Sequence, residues 1–183
     1  MNKRKLLNSE LNRLSPQEFK EADKLRITLV LDNVRSAHNI GSAFRTSDAF
    51  CIEKIMLCGI SSTPPSAEIH KTALGAEDSM SWEYFEKTED AISVLHAENY
   101  RTIAIEQAEN SIVLNNFIPD RNLKHALVFG NEVKGVQQNI VDMCQDCIEI
   151  PQFGTKHSLN VSVSIGIVLW HFRFANSQVP NFF

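Results

Sequence analysis

Five short apolar runs, at residues 27–31, 54–58, 101–106, 125–129 and 147–150, constrain this chain more than any other feature. The first reads Ile27, Thr28, Leu29, Val30, Leu31, with no alternation of apolar and charged residues. A strand buried on both faces has that pattern, because both of its sides meet packed layers. A weaker run at residues 82–85 lies between the second and third. Segments with helical spacing fill the gaps at 40–50, 67–74, 88–98 and 137–143. Strands alternating with helices predict an α/β domain with a mostly parallel, six-stranded sheet flanked by helices.

The ends of the chain read differently. Residues 1–25 form an N-terminal helical extension. Ser15 is placed as a helix N-cap, Pro16 at the first helical position and Glu18 as its capping-box partner. The domain proper spans 26–176, and 177–183 is a tail that frays or docks on a partner. Residues 161–172 are ambiguous. The stretch from Val161 to Ile167 alternates with period two, as a strand does. A helix packed through Leu159, Val163, Ile167 and Trp170 also fits, with Ser162 and Gly166 allowing close approach.

Charge and hydropathy exclude whole classes of function. With 18 Lys+Arg against 22 Asp+Glu the net charge is −4, so the surface is not built for indiscriminate nucleic-acid binding; a local basic patch remains possible. The N-terminal Lys3, Arg4, Lys5 and Arg13 are one such bias. The most apolar stretch, residues 161–170, is about half of the roughly 20 residues that a membrane span needs. No apolar run or small-residue cleavage site follows the basic start, so the expected compartment is the cytoplasm. Of the cysteines at 51, 58, 144 and 147, the last two form a lone C-x-x-C. Structural zinc needs four ligands and no second pair exists, so buried reduced thiols are expected and no metal.

Polar residues gather where predicted strands end, which is where open α/β sheets bind ligands. The first cluster, residues 33–45, carries Arg35, Asn39, Gly41 and Arg45. Asn39 is placed as an N-cap and Gly41 as a point of close backbone approach; a capped helix with a solvent-facing arginine is the plainer reading. The second, residues 127–136, runs a strand into Gly130, Asn131, Glu132, Lys134 and Gly135. Its glycines let a ligand approach the backbone, and amides at a helix start hold anions. Neither a dinucleotide fingerprint nor a P-loop is present. The third, residues 150–160, holds Ile150, Pro151, Lys156, His157, Ser158, Leu159 and Asn160, with Ser158 as a possible N-cap. A serine hydrolase lacks support here, since the G-x-S-x-G elbow is missing.

Taken in this order and spacing, the three clusters resemble the SpoU (TrmH-like) family of RNA ribose 2′-O-methyltransferases, within the SPOUT superfamily. The motifs are Asn39 to Arg45, Gly130-Asn131-Glu132, and Ile150-Pro151 followed by Ser158-Leu159-Asn160, and the similarity covers residues 27–174. The resemblance implies a C-terminal deep trefoil knot, and it reads residues 161–172 as a helix. It implies S-adenosylmethionine as cofactor, a homodimer with the cleft near its interface, and structured RNA as substrate, transfer RNA or ribosomal RNA, with the short N-terminal extension slightly favouring transfer RNA. Gly130, Ile150, Pro151 and Leu159 are then expected to line the cofactor pocket, with Glu106 and Gln107 bordering it. Asn39, Arg45, Glu132, Ser158 and Asn160 are the expected catalytic set. Arg35, Lys134, Lys156 and His157 are candidates to meet RNA phosphates. A guanidinium is a poor general base, so Arg45 is read as stabilising the developing 2′-oxyanion, and Glu132 as pairing with an arginine or anchoring its turn. The competing readings are a noncatalytic RNA-binding factor that keeps the fold and a nucleotide-binding oxidoreductase.

Overall fold

The structure is a computed structural model that describes residues 3–175. The expectation for the tail, together with residues 1, 2 and 176, lies outside the described residues. The chain folds as β1 (Leu25–Asp32), α2 (Ala37–Phe50), β2 (Ile52–Cys58), α3 (Ala67–Ala73), α4 (Ala76–Ser79) and β3 (Ser81–Phe85). There follow α5 (Thr88–Ala97), β4 (Tyr100–Ile105), β5 (Ile112–Val113), β6 (Lys124–Phe129), α6 (Gln138–Met143), β7 (Asp146–Glu149) and α7 (Val161–Phe174). A short α1 (Pro16–Glu21) precedes them, with the Ser15–Glu18 capping box formed in both directions. Phe19 is buried and docks this extension on the domain.

The strands form one sheet of order β3-β2-β1-β6-β4-β7-β5, and every pair is parallel. Seven strands replace the six expected. The extra one is β5, two residues long and paired at the edge of β7, too short to leave a run of its own in the sequence. The order has a physical consequence for the site. The chain builds outward from β1 to β3, jumps to β4, and returns later to insert β6 between β1 and β4. Strands then leave the middle of the sheet in opposite directions, and such a switch point opens a crevice at the carboxyl ends.

Both faces of the central strands are covered. Leu29, Leu31, Leu57, Leu127 and Phe129 point to one side, against Phe44 of α2, Ile69 of α3 and Val168 and Leu169 of α7. Val30, Met56, Ala126 and Val128 point to the other, against Ile92 and Leu95 of α5 and Ile140 of α6. Each fully buried Leu or Phe stabilises the fold by about 1.5–3 kcal/mol, which is why these strands read as unbroken apolar runs. Gly41 lets α2 and α3 touch: a Cβ there would lie 2.2 Å from Thr72 Oγ1 and 2.3 Å from the Ile69 carbonyl oxygen.

Three sequence expectations about helices change. Ser36, not Asn39, caps α2: its hydroxyl accepts from the Asn39 amide at 3.2 Å. Asn160, not Ser158, caps α7, accepting from the Ser162 amide at 2.9 Å. α7 is a helix, but its packed face is not the expected one. Val161, Ile165, Val168, Leu169 and Phe172 are buried, while Leu159, Val163, Ile167 and Trp170 form an exposed apolar stripe. A Cβ on Gly166 would meet nothing within 4 Å, so no close approach depends on it. The Trp170 ring lies edge-on to Phe50 of α2 at 6.3 Å and tilted against Phe174 of its own helix at 4.4 Å.

Candidate active site

A cleft of about 630 Å³ opens at the carboxyl ends of β4, β6 and β7. β4 delivers Ile105, Glu106 and Gln107. β6 delivers Phe129 and the turn from Gly130 to Gly135. β7 leads to Ile150 and Gln152, and the chain returns through His157, Ser158, Leu159 and Asn160 into α7. Three segments far apart in sequence meet here because their parent strands are neighbours in the sheet. The loops at Gly130 and Ile150 are therefore walls of one cavity.

The turn after β6 is held by its own backbone. Asn131 and Gly135 form an isolated antiparallel bridge, Asn131 N donating to the Gly135 carbonyl at 3.0 Å and Gly135 N to the Asn131 carbonyl at 2.8 Å. A Cβ on Gly130 would lie 2.0 Å from Gly135 C and Val136 N. This glycine is thus required for closure of the turn on itself, a reason beyond the ligand approach read from sequence. Gly135 has φ of +68°, and a Cβ there would strike Glu106 Oε2 at 2.1 Å. Glu106 accepts from the Val136 amide at 2.9 Å, so it braces the turn as well as bordering the cleft. Gln107 Nε2 donates to the His157 carbonyl at 2.8 Å, tying β4 to the third loop. Beneath them the buried Asp32 accepts from Thr88 Oγ1 at 2.6 Å, from Asn33 Nδ2 at 2.8 Å and from Gln137 N and Nε2 at 3.0 and 2.9 Å. This carboxylate, absent from the residues singled out in sequence, locks β1 to the start of α6. The signal was available: an acid at the end of an otherwise apolar strand.

Glu132 joins two of the clusters. Its carboxylate accepts from the amides of Arg35 and Ser36, each at 3.0 Å, and from Asn39 Nδ2 at 2.9 Å. It is an acidic clamp on the first turn of α2, favoured there by the helix dipole. Burial pushes its pKa up, but the bonds from Asn39, Arg35 and Ser36 outweigh that and hold it below the ordinary carboxylate value. Asn39 then hands on the contact: its Oδ1 accepts from Asn160 Nδ2 at 3.2 Å. A continuous relay, Glu132 to Asn39 to Asn160, links all three motifs.

The expected residues therefore divide. Gly130, Glu132, Ile150, Ser158, Leu159, Asn160, Glu106, Gln107, Lys134 and His157 line the cleft. Asn39 stands behind it through the relay. Pro151, Arg35 and Lys156 are exposed beside it and do not line it. Arg45 is the outlier: it is exposed on α2 and is not among the lining residues of its own chain's cleft. Helical geometry explains this, since six residues carry it about 9 Å along the axis and about 120° around it from Asn39. Among the described residues no cluster of three or more His, Cys, Asp or Glu is placed to hold a metal. Burial pushes the Cys144 thiol up to about 12 and raises that of Cys147, which keeps the reactive thiolate scarce at neutral pH.

A parallel α/β sheet with a nucleoside-sized cleft at its switch point defines the class of α/β proteins that bind nucleotide-like ligands at strand ends. The particular family follows from comparison. Residues 26–170 match the SpoU rRNA Methylase family, and the chain belongs to that family. It is 31% identical over 145 residues to a 23S rRNA (guanosine-2′-O-)-methyltransferase, RlmB, of Neisseria meningitidis, covering 78% of this chain and 56% of that protein. It is 28% identical over 158 residues to a putative TrmH family tRNA/rRNA methyltransferase of Staphylococcus saprophyticus, covering 86% and 62%. The chain thus spans a little over half the length of these curated relatives. An AdoMet-bound rRNA methyltransferase from Sinorhizobium meliloti superposes with a TM-score of 0.76 at 28% identity, covering 88% of this chain and 60% of that one. The A. aeolicus TrmH/SpoU tRNA modifying enzyme shares the fold, with a TM-score of 0.75 at 23% identity over 86% and 80% of the two chains.

Proposed function

We propose that this protein transfers a methyl group from S-adenosylmethionine to a ribose 2′-hydroxyl of structured RNA, transfer RNA or ribosomal RNA. The single observation that carries the reading is the meeting of the second and third motif turns in one cleft, with the first motif tied to them by the Glu132–Asn39–Asn160 relay. The cleft suits the cofactor. Its volume lies in the range of small-molecule sites, roughly 300–1,000 Å³. Ile150, Leu159, Phe129 and Val161 offer apolar walls, and Gly130 offers a backbone edge without a side chain.

When bound, S-adenosylmethionine supplies a methyl group on a sulfonium, an electrophile that leaves a neutral thioether. The work left to the chain is to align a sugar oxygen with that carbon and to stabilise the oxygen as its proton departs. Ser158 and Asn160 face the cleft and orient the ribose. Glu132 and Asn39 hold the start of α2 in register with Asn160. Lys134 and His157, with Arg35 and Lys156 beside the cleft, meet phosphates, which reconciles a net negative chain with RNA as partner.

Arg45 completes the site in a second copy of the chain. It stands away from its own cleft, and the exposed stripe of Val163, Ile167 and Trp170 supplies a surface for a homodimer. In that arrangement its guanidinium stabilises the oxyanion and the adjoining phosphate. The threaded C-terminal knot belongs to the same reading; it requires the Gly130 and Ile150 loops to be neighbours, as they are in the cleft wall.

The test is transfer of labelled methyl from S-adenosylmethionine to bulk RNA, followed by digestion to nucleosides. Label on 2′-O-methylribose is the expected result. Cofactor binding with no labelled product favours the noncatalytic RNA-binding reading.

A further inference from the structure

We infer that Phe153 is a base-stacking residue, which seats a nucleobase of the RNA at the rim of the cleft. The inference rests on the RNA reading above. Phe153 is 97% exposed and Val133 77%, the two most exposed large apolar side chains among the described residues. They stand on the two turns that bound the cleft. Val133 lines it directly, and Phe153 follows Gln152, which also lines it.

The loop that carries Phe153 is anchored at both ends and free between them. Gln152 and His157 belong to the cleft wall, and the His157 carbonyl is held by Gln107 Nε2 at 2.8 Å. Residues 153–156 are exposed throughout, and a Cβ on Gly154 would meet nothing within 4 Å. The ring is therefore presented outward by a short arch that does not pack on its own chain.

The surroundings select the occupant. Lys134, Lys156 and His157 lie within four residues of the two apolar side chains along the chain, with the polar Asn131 and Thr155, while the acidic Glu132 beside Val133 is engaged by the Arg35 and Ser36 amides and Asn39. Contiguous apolar patches mark protein interfaces, and α7 has one. The rim has isolated apolar faces set among cations. Proteins that hold unpaired RNA strands combine aromatic faces for bases with cations for phosphates in this way. Stacking tolerates any base, so Phe153 fixes where the strand lies and leaves base identity to other contacts.

The experiment compares Phe153→Ala and Phe153→Trp with the unmodified protein. It uses filter binding of end-labelled, fragmented total RNA over a salt series, steady-state methyl transfer, calorimetric binding of S-adenosylhomocysteine, and light scattering for mass. Loss of one stacked base weakens RNA binding by about 5- to 150-fold in Phe153→Ala. KM for RNA rises in step, while kcat, cofactor affinity and mass stay unchanged. Phe153→Trp stays within a few-fold of the unmodified protein. The salt slope is unchanged, because no counterion is released by a ring, whereas Lys156→Ala lowers it by about 0.7–0.9. Three results overturn the inference: RNA binding by Phe153→Ala within twofold, loss of cofactor affinity (the ring covers the cofactor), or a change of mass (the ring seats on a second copy). Weakened RNA binding in a protein that transfers no methyl group sinks the proposed reaction and leaves this inference standing. A normal Phe153→Ala in an active protein does the reverse, and no RNA binding by the unmodified protein refutes both.

Discussion

Replacing Glu132 by glutamine keeps the length of the side chain and removes its charge. Glu132 Oε1 accepts from Ser36 N and Asn39 Nδ2, and Oε2 from Arg35 N. Glutamine retains one oxygen, so one or two of the three bonds are lost and an NH₂ group is set against a donor. A hydrogen bond to a charged group contributes about 1.5–3 kcal/mol, and a charge at a helix N-terminus about 0.3–1 kcal/mol. The carboxylate is solvent-accessible, so screening reduces these figures to a net loss of about 1–2 kcal/mol. For a domain of this size that is a fall in Tm of about 2–8 °C.

The sign of the pH dependence follows from the depressed carboxyl pKa. A group whose folded pKa lies below its unfolded value stabilises the fold fully above the unfolded value, about 4.5, and less as pH falls through the folded one. Thermal unfolding followed by circular dichroism, from pH 3.5 to 8, should therefore show the two proteins separated above pH about 5. They should converge toward the acid end. The variant should keep cofactor affinity while turnover falls, because the Asn39–Asn160 contact is loosened. Equal Tm values across the range refute the clamp. So does a gap that widens in acid.

Four further outcomes follow. Arg45→Ala should abolish methyl transfer and leave S-adenosylhomocysteine affinity nearly intact by calorimetry; near-normal turnover contradicts its role. Gly130→Ala forces a Cβ onto backbone atoms 2.0 Å away, so cofactor affinity should drop at least about tenfold, a loss of roughly 1.4 kcal/mol. Asp32→Ala strips the acceptor from four donors, and denaturant unfolding should show a loss of about 3–5 kcal/mol. Trp170→Glu places a charge in the exposed stripe of α7, and light scattering should report a monomer without methyl-transfer activity.

Periodicity made the strands legible because each central strand packs on both faces, so Ile27 to Leu31 needed no partner to be recognised. β5 was not legible: Ile112 and Val113 are too few to make a run, and only pairing with β7 defines them. The three motifs could be named but not joined, since Glu132 meets Asn39 across 93 residues and depends on strand order. The cap of α2 shifted to Ser36 because a serine three residues earlier reaches the Asn39 amide, which leaves Asn39 free for the relay. In α7 the apolar residues run almost all the way round, so hydrophobicity alone does not tell the core stripe from the exposed one. Ser162 and Ser164 also mimic a strand's alternation. The place of Arg45 follows from helix geometry once the start of α2 is known, and it is the proposed second copy that would give it a cleft to face.

The account turns on one cleft serving as the cofactor site. The most direct measurement is a crystal structure with S-adenosylhomocysteine bound. The ligand is predicted between the Gly130 turn, the chain after β7 at Ile150 and Leu159, with Arg45 of a second copy turned toward its sulfur. Ligand bound elsewhere, for instance in the pocket beside His70 and Trp82, or Arg45 turned away from the sulfur in every copy, contradicts it.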